Sequence, residues 1–499
     1  MGRWANAGDH VAPGHRTATE RCPRFVAAPY VGSVTDTLGP GASASAADPL
    51  GDAATSTDHR RFTAGDGVSL LLAVGLLVAA IVAPLLASVQ YRISIFALAQ
   101  PLFGTVDPHW GTGTVPAVLI AALGIVAGPP LAARLRWPAL LATVFATGLA
   151  WVFSLAMIDG WDRGIAGRLV RQDEYLHEVP GVRGSSIPTI LDHFASRILD
   201  FRPDSWTVHV SGHPPGALIT FVVLDRLGLS GGGWAAVWVI VTGTSAAVAG
   251  LLAVRALAGE EMARRCAPFL ALGPGAVWIG VSADGYFMAV AAWGIALLAL
   301  SATRRGRASA AFGAGAGLFL GFAIFLNYGL TLMGVISLAV LVVARSWRPL
   351  LFAVPAALAV VGVFAALGFW WLDGYHLVVE RYYQGVASER PFSYWGWADF
   401  AAALCAIGPA GAVGLGRALH WRRLRDRMPV AWLSVSGVAC MVCADLSALS
   451  KAETERIWLP FGFWIMVGTA LLPRRMQRPW LLLQVLTALL INHIVRTYW

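Results

Sequence analysis

The stretch RQDEYLHEVP (171–180) sets three carboxylates, Asp173, Glu174 and Glu178, around Tyr175 and His177. On a helix, Glu174 and Glu178 are four apart and share a face. Carboxylates crowded near a membrane surface repel, which raises the proton affinity of one of them. A carboxylate tuned in this way suits a general base acting on a hydroxyl. The plain alternative is a solvated acidic helix in a long loop. WTVHVSGHPPGAL (206–218) is the second stretch. Its Pro214–Pro215–Gly216 forces an extended entry and a turn before the following helix. His209 and His213, close in sequence, are residue types that donate to phosphate or bind a metal, although an HPPG string is by itself a common helix-entry turn. Asp284, in VSADGYF, stands at the junction of two apolar runs. An ionisable residue at membrane depth points to function; the alternative is a turn residue at the water boundary beside Gly285.

Two further stretches gather cations. In DGYHLVVERYYQGVASERPFSYW (373–395), Arg381 and Arg390 alternate with Tyr375, Tyr382, Tyr383, Tyr394 and Trp395. Tyr and Trp commonly form interfacial belts, while arginines among them can grip a lipid phosphate bidentately. In SKAETERIWLPF (450–461), Lys451, Glu453, Glu455 and Arg456 crowd the start of an apolar run. This is either an anionic-headgroup site or a local ion-pair network.

The elements that must hold these groups are membrane helices. The 499 residues are 57% hydrophobic and 13% charged, with mean hydropathy +0.64; soluble domains carry roughly 25% charged residues. Apolar runs long enough to cross a bilayer, about 20 residues, recur at 67–89, 114–133, 138–157, 233–256, 266–283, 285–303, 309–326, 328–344, 349–372, 397–416, 429–447, 457–472 and 479–496. The expected fold is therefore all-α, a polytopic transmembrane helical bundle of about 13 spans, with a large extracytoplasmic loop carrying juxtamembrane helices. Residues 1–66 are polar, rich in Gly, Ala, Ser and Thr, and lack an apolar core of signal length. They read as a disordered cytoplasmic tail, leaving 67–499 as the transmembrane domain. Of the five cysteines, Cys266, Cys405, Cys440 and Cys443 fall in or beside apolar segments, and the CxxC of Cys440 and Cys443 lacks a second Cys/His pair, so packing is the expected role.

Charge sets the orientation. The net charge is +9, but the arginines sit in short loops between apolar runs, a topology signal rather than a nucleic-acid one. With 1–66 cytoplasmic and 214–230 lying in the interface rather than spanning, the clusters around Arg134, Arg264, Arg305, Arg345, Arg423 and Arg475 all face the cytoplasm. The outer side then receives 90–113, the long loop 158–232, Asp284, 373–396 and 448–456, and with them nearly all the carboxylates and histidines. The expected place is the plasma (inner) membrane, multi-pass, with the site extracytoplasmic. No GxxxxGK[ST] nucleotide loop is present, no inverted repeat is evident, and mid-span charges of the kind a proton relay needs are sparse.

The order of these motifs resembles the GT-C glycosyltransferases, membrane enzymes that use polyprenyl-phosphate sugars. An acidic stretch in a large outer loop (DEYLHEVP) is followed by a His-Pro-Pro string opening a juxtamembrane helix (HPPGAL), an Arg-rich inner loop (RALAGEEMARR) and an outer aspartate (SADGYF). The aminoarabinose and protein-mannosyl branches show the same order with HPPL in place of HPPG. The resemblance covers about 158–303, and topology alone carries it beyond. A closer likeness is to an uncharacterised group of actinobacterial membrane proteins sharing HPPG, RPxxYW and AExERIWLPF strings. The acidic loop here follows the third apolar run, whereas in most of the family it follows the first; loop 90–113, with Asp107, His109 and Trp110, is the other candidate for the equivalent loop.

The resemblance implies a transfer from a polyprenyl-phosphate-linked sugar to an extracytoplasmic glycan, lipid or protein acceptor, with inversion. Asp173 or Glu174 would take the acceptor proton. Arg381, Arg390, Lys451 and Arg456, with His213, would meet the leaving phosphate. Asp284 would bind a sugar hydroxyl or orient a cation. Tyr175, Glu178, His209, Tyr383 and Glu453 complete the expected substrate-binding set. Some branches of the family use a divalent cation, and the residues offer no convincing ligand set for one. A second reading is a lipid or glycolipid transporter or flippase with a polar outer vestibule, and a third is a non-catalytic membrane scaffold. A transporter needs polar groups along a path to the cytoplasmic side, and few are present.

Overall fold

A computed structural model describes residues 62–498; residues 1–61 of the expected tail lie outside it. The first helix, Ala64–Leu86, begins where Thr63 forms a capping box. The Thr63 hydroxyl accepts from the Asp66 N–H at 3.3 Å, and the Asp66 carboxylate accepts from the Thr63 N–H at 2.9 Å, which satisfies two helix-end donors reciprocally. The buried Asp66 carboxylate also takes a bidentate pair from Arg417 at 2.7 and 2.6 Å, pinning the start of this helix to the bundle.

The described chain is 76% helical with almost no strand. Seven helices are long and apolar enough to cross a membrane: Ala64–Leu86, Thr114–Arg134, Trp137–Ala156, Gly232–Ala258, Ala283–Thr303, Phe392–Ala418 and Pro429–Leu446. An eighth is counted if the bent pair Leu350–Ala366 and Trp371–Gln384 is one span. The structure therefore does not reproduce the count of about 13, and the reasons are local. The run 266–283 breaks at Gly273–Pro274–Gly275 into Glu260–Ala271 and the single turn Ala276–Ile279, since proline supplies no N–H and glycine resists helix. The run 349–372 stops at Ala366. There Gly368 adopts φ +101°, Asp192 lies too close for a β-carbon, and the chain turns by 74°. Runs 328–344 and 457–472 form shorter apolar helices. Helices Gly306–Ala323 and Gln477–Ile494 have 18 residues each but carry arginine, glycine or amide groups that lower their apolarity. The helix Pro215–Arg226, at 12 residues, is too short to cross.

Ala283–Thr303 is the central helix, 83% of its most apolar stretch being buried, against 11% for Ala64–Leu86. It packs on Gly232–Ala258 and Gly306–Ala323, and the latter packs on Leu350–Ala366. Phe392–Ala418 kinks at Gly408, φ +73°, before Pro409. The kink frees backbone groups inside the bundle. The buried Gln484 side chain repairs them, donating to the Ile407 carbonyl at 3.0 Å and accepting from the Ala410 N–H at 2.9 Å. Non-helical backbone at membrane depth survives only with such substitutes.

One small ribbon adds to the all-α plan. β1 (Gly104–Val106) pairs antiparallel with β2 (Val495–Thr497), Gly104 facing Thr497. Arginines at the start of the long loop hold the second strand: Arg163 and Arg168 donate to the Thr497 carbonyl at 3.1 and 3.0 Å, and Arg171 to the Tyr498 carbonyl at 2.9 Å.

Candidate active site

The buried Arg456 guanidinium is the hub of the site. It sits in the turn Thr454–Ile457, which enters the apolar helix Leu459–Met466. Its Nη1 donates to Asp284 Oδ2 at 2.5 Å, and its Nη2 to Glu453 Oε2 at 2.7 Å and His209 Nε2 at 3.0 Å. Asp284 occupies the first turn of the central helix and is 2% exposed. Because His209 Nε2 accepts from Arg456, its proton lies on Nδ1, which donates to the Asp173 carbonyl at 2.8 Å; the tautomer is assigned from these partners. The His209 N–H donates to the same carbonyl at 3.0 Å. These two bonds fasten the HPPG region to the acidic stretch, which sequence spacing alone leaves apart.

The two adjacent carboxylates then diverge. Asp173 stays at the rim, its side chain 31% exposed, accepting from Arg171 Nε at 3.2 Å. Glu174 precedes the helix Tyr175–Val182 and turns inward to 4% exposure. Its Oε1 lies 3.7 Å from His209 Nδ1, beyond hydrogen-bond range, and its Oε2 has no hydrogen-bond partner among the described residues. Burial raises its proton affinity, opposed by His209 and Arg456 and reinforced by Asp173 and Asp284. Burial also drives Glu453 upward, but Arg456, Arg390 and His209 outweigh it and hold this carboxyl below its usual range. Arg456 loses by burial and gains more from Asp284, Glu453 and Glu174, so its guanidinium is held charged more firmly than usual.

A second cationic centre adjoins the first. Arg390, 6% exposed, donates through Nη1 to the Lys451 carbonyl at 2.8 Å and lies 3.5 Å from Glu453 Oε1. Its Nε is buried without a partner among the described residues. Lys451 Nζ donates to the carbonyls of Ala387 at 2.8 Å and Arg390 at 3.2 Å and lies 5.5 Å from the Tyr383 ring. Burial and then Arg390 pull this ammonium below its usual proton affinity.

Other expected residues stand further out. Arg381, on Trp371–Gln384, pairs with Asp200 and donates to Ser211 Oγ at 3.2 Å. That bond braces the His209 turn without reaching Arg456. Glu178 accepts from the Thr207 N–H at 2.8 Å and lies 3.6 Å from Arg197, closing the loop on itself. Tyr383 is 44% exposed. Tyr175 is buried, its ring near His213, Phe221 and Phe287, and burial keeps its hydroxyl protonated far above the usual range. His213 donates from Nδ1 to the His209 carbonyl at 2.7 Å. Burial lowers its pKa to about 4, so at neutral pH it is an uncharged acceptor at Nε2 rather than a cation for phosphate.

Sequence reasoning named Glu455 only as a member of the 450–461 charge cluster, with no role at the site, and passed over Phe103. The Glu455 carboxylate is fully buried, accepts from the Phe103 N–H at 3.1 Å and is pushed up to about 7 by burial. The alternating carboxylates of ETER were its only signal. Phe103 carried none, being one aromatic residue in an apolar loop. Among the described residues, no group of three or more His, Cys, Asp or Glu is placed to hold a metal ion.

No family model matches the chain and no curated protein matches it. Among solved structures it is similar to ArnT from Cupriavidus metallidurans in the apo state, at 16% identity and TM-score 0.43, over 65% of this chain and 59% of that one. It is also similar to the archaeal oligosaccharyltransferase AglB from Archaeoglobus fulgidus in complex with an inhibitory peptide and a dolichol-phosphate, at 11% identity and TM-score 0.41, over 66% of this chain and 50% of that one. The chain thus spans between half and three-fifths of the proteins it is similar to.

Proposed function

We propose that this chain is an integral membrane glycosyltransferase of the GT-C type, moving a sugar from a polyprenyl-phosphate donor to an acceptor hydroxyl on the extracytoplasmic face. The observation that supports it best is an inward carboxylate without a hydrogen-bond partner at Oε2 among the described residues, Glu174, under the charge of the buried Arg456, which Glu453 links to Arg390. Glu174 serves as general base. Its raised proton affinity brings it nearer the operating pH, where general bases work best. As Glu174 Oε2 takes the hydroxyl proton, the acceptor oxygen forms its bond to the anomeric carbon. The bond from that carbon to the phosphate oxygen breaks, with inversion, and the electron pair leaves on the polyprenyl phosphate. Cations fixed in advance stabilise that developing charge. Arg390 Nε, which has no partner among the described residues, and Lys451 Nζ, which makes two carbonyl bonds, are the donors we assign to it. Arg456 orients Asp284 through the 2.5 Å bond, leaving its other carboxyl oxygen to accept from a sugar hydroxyl, and holds Glu453 ionised. The excess of arginine in the opposite loops supports the outward orientation.

The test uses vesicles holding the full chain and a panel of polyprenyl-phosphate sugars. Glu174→Gln should lower transfer by about 10²–10⁴-fold, the usual worth of a general base, while Asp173→Asn loses less than about tenfold. Full transfer by Glu174→Gln would overturn the assignment of the base. Failure of the wild-type chain to transfer from any such donor would overturn the function.

A further inference from the structure

We infer that Asp399 is a positioning residue: it holds the 451–456 turn in the backbone conformation that presents Lys451, Glu453 and Arg456 to the site. The inference rests on the proposed phosphate-binding role of that cluster. Ala452 and Glu453 have φ of 71° and 64°, two consecutive non-glycine residues in the left-handed region, where the β-carbon crowds the following carbonyl. Such a pair persists only when its surroundings enforce it.

The enforcement comes from the neighbouring helix Phe392–Ala418. Asp399, 1% exposed there, accepts the Ala452 N–H on Oδ1 at 2.9 Å. The Asp399 carbonyl accepts the Thr454 hydroxyl at 2.7 Å. Tyr382 Oη accepts the Lys451 N–H at 2.8 Å from the other side. A carboxylate at this depth is expensive, and its hydrogen bonds run to the backbone and hydroxyl of the strained turn. The consequence lies in the side chains. The left-handed pair swings Glu453 so that one oxygen meets Arg456 at 2.7 Å while the other lies 3.5 Å from Arg390, linking the two cationic centres. With 452 and 453 in ordinary conformations, that link breaks.

Two readouts test this on the full chain in detergent micelles. The first is conformational and needs no ligand: in a background lacking the native cysteines, Ala452→Cys is challenged with a membrane-impermeant maleimide. Ala452 is 1% exposed, so labelling should be slow, and Asp399→Ala should speed it at least about tenfold, the ratio set by releasing one left-handed residue. The second is the affinity for undecaprenyl phosphate as probe. Asp399→Ala should weaken binding by about tenfold on the same ground. Ala452→Gly, which removes the β-carbon, should recover most of that loss while alone leaving binding unchanged. Asp399→Asn, whose amide oxygen still accepts, should bind as the wild type does. Unchanged labelling in Asp399→Ala, or no recovery by Ala452→Gly, would overturn the positioning role. Accelerated labelling together with a wild-type chain that does not bind the probe would support the positioning role and overturn the phosphate-binding reading.

Discussion

Replacing Arg456 by methionine, which keeps much of the volume and removes the charge, tests the hub directly. Its side chain is 6% exposed, so solvent does not screen the loss. The substitution deletes charge-assisted bonds to Asp284 at 2.5 Å and Glu453 at 2.7 Å, leaving two carboxylates in a buried setting. Each can ionise at full desolvation penalty or take up a proton. For Glu453, whose ordinary carboxyl value is 4.5, protonation at neutral pH costs about 3 kcal/mol, which bounds its share of the loss. Breaking a buried pair by removing one partner typically costs about 3–5 kcal/mol, and we expect Arg456→Met to fall in that range. The assay is equilibrium unfolding in mixed detergent micelles followed by tryptophan fluorescence. The loss should shrink as pH falls below about 4.5. Arg456 depresses the Glu453 pKa in the folded state, so the stability it supplies is present above the unfolded value and disappears as pH drops through the folded one. Adding Asp284→Asn to Arg456→Met should recover part of the loss, with a coupling of about 0.5–3 kcal/mol. A loss below about 1 kcal/mol at neutral pH, or one that does not change with pH, would refute the hub, because surface-like pairs are worth no more than that.

Glu455 carries the opposite sign. Its folded pKa is raised to about 7, so its burial costs nothing below the unfolded value near 4.5 and the penalty grows as pH rises to about 7. A gap of this size corresponds to about 3 kcal/mol. Glu455→Gln should therefore flatten the stability profile between those limits and be the more stable chain above pH 7 in the same unfolding assay; parallel profiles would contradict the assignment. At Gly317, a β-carbon would stand 2.1 Å from the Ala353 carbonyl oxygen of the facing helix. Gly317→Val should therefore destabilise by about 1–3 kcal/mol through overpacking, read as a lower denaturant midpoint, whereas Gly75→Val, which meets nothing within 4 Å, should not.

The parts of the site that were legible in the sequence were chemical. Asp173, Glu174, His209, Asp284, Glu453 and Arg456 are ionisable residues beside long apolar runs, and in a chain this apolar such residues are few enough to single out. Helical class was equally plain, because apolar runs near bilayer length leave helices as the economical way to satisfy the backbone. Span number was not. Composition cannot tell a continuous helix from one interrupted at Gly273–Pro274 or turned by 74° after Ala366, since a local break is outvoted by the average around it. Nor could adjacency in sequence separate Asp173 from Glu174. One faces Arg171 at the rim and the other is buried, because the helix start at Tyr175 directs successive side chains apart.

Residue types alone thus determined that the chain is helical, apolar enough for a membrane, and endowed with a handful of acids and bases in ordered stretches. Only the tertiary structure decided which of them meet. Arg456 reaches residues 172 and 247 positions away, Phe103 reaches Glu455 across 352, and β1 pairs with a strand near residue 496. Contacts at such separations follow from how whole helices pack. The same packing sets the burial that raises the proton affinities of Glu174 and Glu455 and the cationic neighbours that lower that of Glu453, one residue type throughout.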